Sequence, residues 1–234
     1  MKFGVVVFPG SNCDYDSYRA VKDHLETPVR FIWHKDIDVR DLDAIILPGG
    51  FSYGDYLRAG AISRFSPVMS AVKRFADEGG LVLGICNGFQ VLTESGLLPG
   101  TLIRNRDLRF VCKDIYLITE NNNTPFSRSL EPGEVIRLPV AHNQGNYYCS
   151  QEEYDRLREH EGIVFKYCDA KGRIDDRYNP NGSIGSIAGI INEKGNVMGM
   201  MPHPERYVDD LLDGSDGLKI FRSMLTSLRD KVAV

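Results

Sequence analysis

Short, nearly continuous apolar runs punctuate the first part of the chain: Phe3 to Phe8, Val29 to His34, Ala44 to Leu47 and Leu81 to Ile85. Runs of this length without polar alternation fit strands covered on both faces, as in parallel sheets. Before the last of them, Ser66-Pro67 supplies an N-cap and first-turn pair, and Val68, Val72, Phe75 and Ala76 recur at helical spacing up to Gly79-Gly80. Strands alternating with helices predict an open, mostly parallel, doubly wound α/β sheet. Further on, Phe110 to Ile118, Val135 to Ala141, Ile163 to Cys168, Ile184 to Ile191 and Val197 to Met201 follow one another through turn-rich links, with Glu152 to Glu161 the helix-like exception. These predict hairpins or mixed, antiparallel strands added to the same sheet. No Pro/Gly/Ser-rich linker divides the halves, so one domain over 1–234 is expected. From Ser215 onward, Leu218, Phe221, Leu225 and Leu228 mark one face of a closing amphipathic helix.

One junction in this pattern carries chemistry. Gly84-Ile85-Cys86-Asn87-Gly88 follows an apolar strand and opens a helix, the form of a nucleophile elbow with sulfur in place of oxygen. The helix N-terminus behind Cys86 should favour its thiolate, and the Asn87 N–H is positioned to meet an oxyanion. A buried structural cysteine in a Gly-rich turn is the bland alternative. A partner is offered by Met201-Pro202-His203-Pro204-Glu205-Arg206. Pro204 should hold His203 extended, so that His203 and Glu205 face the same side and the carboxylate fixes the imidazole tautomer for proton exchange with Cys86. Against it stands a solvated His-Pro turn. Leu47-Pro48-Gly49-Gly50 ends another predicted strand, where glycine backbone at Gly49 and Gly50 can approach a ligand and donate a second oxyanion bond. His24 and His160 read as members of solvated helices, and His34 as a strand end.

Composition narrows the classes. A 42% hydrophobic and 26% charged chain has material for a core, and a net charge of −4 with scattered Lys and Arg offers no nucleic-acid surface. Cysteines at 13, 86, 112, 149 and 168 form no CxxC pair, which argues against a zinc site or disulfide framework and predicts free thiols in a reducing cytoplasm. No metal site is expected. The N-terminal apolar run is too short for a signal peptide, and no run is long enough to span a membrane.

Gly84-Ile85-Cys86-Asn87-Gly88-Phe89-Gln90 with the late His203-Pro204-Glu205 resembles the triad (class I) glutamine amidotransferases, whose Cys-His-Glu site hydrolyses the glutamine carboxamide. Phe8-Pro9-Gly10-Ser11-Asn12-Cys13-Asp14, the run from Gly49 through Phe51-Ser52-Tyr53-Gly54-Asp55-Tyr56-Leu57-Arg58-Ala59-Gly60, and Pro202 to Arg206 are similar to the glutaminase subunits of phosphoribosylformylglycinamidine synthases. The resemblance implies a flavodoxin-like fold, Cys86, His203 and Glu205 as catalytic residues, and glutamine held by Gln90 with the backbone of Gly49, Gly50 and Asn87. It also implies a large synthetase subunit that uses ATP and Mg, a small bridging subunit, and delivery of ammonia to formylglycinamide ribonucleotide. The chain itself contains no G-x-x-x-x-G-K-[ST] and no Gly-Lys pair, so no P-loop of its own and no cofactor in this chain is expected. Ala141-His142-Asn143-Gln144-Gly145 departs from the family's more usual His-Gly-Glu-Gly. Cys13 reads as structural, and Asp55 and Arg58 receive no role from sequence beyond an interface. A glutaminase serving another acceptor, a cysteine amidohydrolase or peptidase of similar fold, and a non-catalytic binding subunit remain open.

Overall fold

The apolar runs become strands in the computed structural model, which describes residues 1–212 and 214–232. In chain order the elements are β1 (Phe3–Val7), α1 (Asp14–Arg19), β2 (Val29–Trp33), β3 (Ala44–Leu47), α2 (Pro67–Asp77), β4 (Leu81–Ile85), α3 (Asn87–Glu94), β5 (Thr101–Ile103), β6 (Val111–Thr119), β7 (Val135–His142), β8 (Asn146–Tyr148), α4 (Gln151–Glu159), β9 (Ile163–Cys168), β10 (Ile187–Ile191), β11 (Val197–Met200) and α5 (Leu218–Val232). A nine-stranded sheet takes the order β2-β1-β3-β4-β11-β10-β9-β6-β7, and β5 pairs with β8 apart from it.

From β2 to β11 every neighbour is parallel; from β11 to β7 every neighbour is antiparallel. The doubly wound sheet with added antiparallel strands is therefore the architecture found. Burial follows the pairing. β3 and β4 are buried at every residue, as continuous apolar strings require, whereas β7 alternates between buried and half-buried positions. In α5, Leu218, Phe221, Leu225 and Leu228 are all buried, so the predicted face is the packed one.

Local details depart from the pattern. The run Ile184 to Ile191 is a strand only from Ile187; Ile184–Ser186 is a 3₁₀ turn with left-handed Gly185 and Ser186, a backbone that cannot continue a ladder. Pro67 does open α2, but the Ser66 hydroxyl makes no cap and instead shares a hydrogen bond of 2.8 Å with the Tyr53 hydroxyl. α4 carries the capping box that Ser66 lacks, with Ser150 and Glu153 bonding each other's backbone N–H.

Strand order reverses beside β1, because β2 lies on one side of it and β3 on the other. At such a switch point the carboxyl ends of the strands leave a crevice. Residues 8–13 after β1, 48–55 after β3 and Cys86 after β4 all emerge there. Among the described residues, no helix is long and apolar enough to cross a membrane.

Candidate active site

Cys86 sits between β4 and α3 at φ 48° and ψ −102°, a backbone state that only a constrained turn imposes on a non-glycine residue. Its N–H donates to the Met200 carbonyl at 2.7 Å and its carbonyl accepts from the Gln90 N–H at 3.1 Å, so β11 and α3 fix the bend from both sides. The flanking glycines are required by close packing. A methyl at Gly84 would meet the Gly88 backbone at 2.8 Å, and one at Gly88 would overlap the Leu47 carbonyl at the end of β3. Cys86 is buried, with its sulfur 3.7 Å from the Ala141 carbonyl.

The His203 backbone N–H donates to the Pro139 carbonyl of β7 at 2.9 Å, which sets the residue at the same edge of the sheet. The expectation that extended backbone aligns His203 with Glu205 needs correction. Pro204–Arg206 forms a 3₁₀ turn, and the turn curls the carboxylate back so that Glu205 Oε1 lies 2.7 Å from His203 Nδ1. Both side chains are buried. His203 Nε2 and Glu205 Oε2 are buried without a hydrogen-bond partner. Burial opposes charge on the imidazole, but the Glu205 carboxylate, with Cys86 and Cys13 beside the ring, outweighs it and holds His203 well above the ordinary histidine value.

Gly50 joins Ser11 in an isolated antiparallel bridge. The bridge is closed by Phe51 N–H to Gly10 O at 3.1 Å and Cys13 N–H to Gly49 O at 3.2 Å, so the Gly50 amide takes part in neither bond. Its φ of +138° and a contact of 2.6 Å between a built Cβ and the Asn12 amide exclude any other residue. Gly50, Cys86 and Gln90 line one cleft of about 440 Å³ with Phe51, Asp55 and His142. Gly49 lies instead against the His203 ring, where an added Cβ would meet Cε1 at 2.7 Å.

Asn87 and Gln90 organise the floor of this cleft. The Asn87 carboxamide accepts from the Ser52 N–H at 3.2 Å and donates to Gln90 Oε1 at 2.9 Å and Asp55 Oδ1 at 3.2 Å. Gln90 Nε2 donates to the Gln144 carbonyl at 2.6 Å. The Gln90 side chain thus ties α3 to the 141–145 loop in this state.

The structure corrects several sequence readings. Cys13, read from sequence as structural, lies beside the pair: its sulfur accepts from Arg206 Nη2 at 3.1 Å, and its ligating atom lies within 4.8 Å of those of His203 and Glu205. That donor set could hold a soft divalent metal. Its hydrogen bonding accounts for it otherwise, since Nδ1 already has Glu205 and the sulfur has a guanidinium. His142 is a buried neighbour missed in the sequence; burial, then the charge of His203, lowers it to about 4, so it is neutral at physiological pH. His160 is not solvated, because both ring nitrogens are buried without partners. Arg58 forms a two-pronged pair with Glu94 at 2.5 and 2.8 Å, and Asp55 stands in the cleft wall. The signal for Cys13 was its position just past β1, at the same sheet edge as Cys86.

A thiol on a strand-to-helix elbow, beside a buried imidazole–carboxylate pair at the carboxyl edge of a flavodoxin-like sheet, defines the class I glutamine amidotransferases. The chain belongs to the CobB/CobQ-like glutamine amidotransferase domain family, whose model matches residues 1–216. It is 57% identical over 224 residues to phosphoribosylformylglycinamidine synthase subunit PurQ of Salinibacter ruber, covering 96% of this chain and 95% of that protein. The solved structure of PurLQS from Thermotoga maritima contains a chain 43% identical, with a TM-score of 0.86 over 97% of this chain and 98% of that one. Another glutamine amidotransferase from Thermotoga maritima, only 13% identical, shares the fold with a TM-score of 0.62 over 97% of each chain.

Proposed function

We propose that this chain is the glutaminase subunit of a phosphoribosylformylglycinamidine synthase. The observation that carries the reading is the 2.7 Å His203–Glu205 pair buried beside an elbow cysteine in a chain 57% identical to a PurQ subunit. The Cys86 sulfur attacks the side-chain carbonyl of glutamine, and the Gly50 and Asn87 amides receive the oxyanion. His203, steadied by Glu205, protonates the departing ammonia and then activates the water that releases glutamate from the thioester. Gly49 backs the imidazole, and Gln90 holds the cleft floor.

Ammonia passes to a large synthetase subunit, with a small third subunit bridging the complex. ATP and Mg act on that partner, where formylglycinamide ribonucleotide becomes formylglycinamidine ribonucleotide. The complex works in the cytoplasm. Cys86→Ala in the reconstituted complex tests the reading: glutamine-dependent synthesis should fall by about 10⁴-fold or more, and synthesis from added ammonia should persist. Loss of both reactions, or of neither, would reject it. Omitting formylglycinamide ribonucleotide identifies the acceptor, because another acceptor would leave ATP turnover unaffected.

A further inference from the structure

Asp55 lines the cleft, and the thioester reaction leaves its carboxylate unused. Of the side chains lining that space it supplies the carboxylate, and His142 opposite is neutral. The carboxylate is half-buried and accepts one hydrogen bond, from Asn87 Nδ2 at 3.2 Å. A carboxylate has room for about four such bonds. No cation among the described residues pairs with it, because the nearby Arg58 is committed to Glu94. Burial with a single donor pushes Asp55 up to about 6. A cation arriving with the ligand would relieve that under-satisfied charge.

Geometry ties the group to the nucleophile. Asn87 follows Cys86 directly in the chain, and its side chain holds Asp55, so the carboxylate is registered to the elbow. In glutamine, four bonds separate the carboxamide carbon from the amino nitrogen, a reach of about 5 Å when extended. A substrate with its carbonyl at Cys86 and its chain running along the cleft toward Asp55 can present its ammonium to that carboxylate, since both residues line the same space.

We propose that Asp55 binds the α-ammonium of glutamine and so restricts the site to the free amino acid, rejecting amides that lack an unblocked amino group. The assignment rests on the glutaminase reading and adds the residue that selects the substrate. Asparagine is the informative replacement, since it tolerates the left-handed φ of 53° at this position and can keep the bond to Asn87 while losing the charge.

The test uses the complex with its synthetase partner and compares glutamine with glutaramate, the same amide without the amino group, as substrate or competitor. In Asp55→Asn, kcat/KM for glutamine should fall about 100-fold, chiefly through KM, with glutaramate nearly unchanged. A glutamine-shaped diazoketone should label Cys86 in the parent and not in the variant at equal concentration, while iodoacetamide alkylates Cys86 in both and matching urea midpoints report intact folding. In the parent, preference for glutamine should vanish as pH falls through about 6, when Asp55 takes up a proton. Cys86 on the elbow and His142 at the end of β7 act on both amides alike, so the ratio isolates Asp55. A variant that keeps the parent preference, or that loses both amides equally, overturns the proposal. A parent protein that releases no glutamate defeats the glutaminase reading instead.

Discussion

The two walls of the cleft are built differently. On the nucleophile side, Cys86 is clamped by backbone bonds to Met200 and Gln90, and glycines 84 and 88 let β3, β4 and α3 meet at van der Waals contact. Opposite it, Phe51, Tyr56 and Leu57 are 45%, 75% and 90% exposed, and Tyr53, Asp55 and Leu57 adopt left-handed backbone. This loop is fastened by hydrogen bonds to the Asn87 and Gln144 side chains and to the Pro9 and Gly10 carbonyls, with Tyr53 packed against the core while its neighbours stay exposed. Reactive geometry needs sub-ångström precision and is set in the core; recognition sits on a segment whose local stability is low enough to be adjusted.

The comparison breaks first at Glu205. Glu205→Gln keeps the shape and removes the charge that steadies the imidazole, and kcat with glutamine should fall about 10⁴-fold while ammonia-dependent synthesis in the complex survives. The charge also leaves a signature in stability. Because His203 is raised above its ordinary 6.5, its protonated form stabilises the fold fully at and below that pH, and this contribution is lost as pH rises through the raised value. Urea midpoints of the parent and variant should therefore converge as pH increases. A gap that stays constant across this range would show that Glu205 acts on His203 only through its hydrogen bond.

Gly88→Ala attacks the rigid wall by volume. The added methyl would overlap the Leu47 carbonyl, and overpacking of this kind costs about 1–3 kcal/mol. A lowered urea midpoint with an unchanged slope, accompanied by loss of glutamine hydrolysis, is the expected result. Unchanged stability would mean that β3 can withdraw from the elbow and that the wall is softer than its packing implies.

The same contrast explains what could be read in the sequence. The elbow was legible because its requirements are local: a strand, two glycines, a cysteine and a helix in one short run. The contact of His203 with Glu205 was legible, but its cause was not, since a proline at the start of a short run does not distinguish an extended segment from a 3₁₀ turn. Apolar runs gave the parallel strands, and they overreached at Ile184 because Ile is compatible with a turn when left-handed residues follow it. Cys13 and Arg206 meet across 193 positions of sequence, and Asp55 and Asn87 across 32. Such pairs are created by the convergence of strand ends, and no spacing along the chain encodes them. The small β5–β8 sheet escaped for a related reason. Its strands are three residues each, and its place depends on Tyr147 stacking over Phe89 of α3 at 5.8 Å.

The smallest expected effect is the one that best separates the two walls. Arg58 reaches from the exposed loop to Glu94 on α3 with bonds of 2.5 and 2.8 Å, yet its side chain is 58% exposed and Arg64 remains 3.9 Å from the same carboxylate. The guanidinium is open to solvent, but the Glu94 carboxylate is only 6% exposed and keeps Arg64 as a neighbour, so Arg58→Ala should lower stability by about 1 kcal/mol and the urea midpoint slightly. Its consequence should fall on the loop. In the isolated chain, KM for glutamine should rise by about fivefold, the equivalent of ~1 kcal/mol, because the tether that orders Asp55 is gone. Adding the synthetase partner should erase the difference if docking orders the same segment. A KM defect that persists undiminished in the complex would show that the loop is fastened from within the chain alone, and that the exposed wall is as fixed as the elbow it faces.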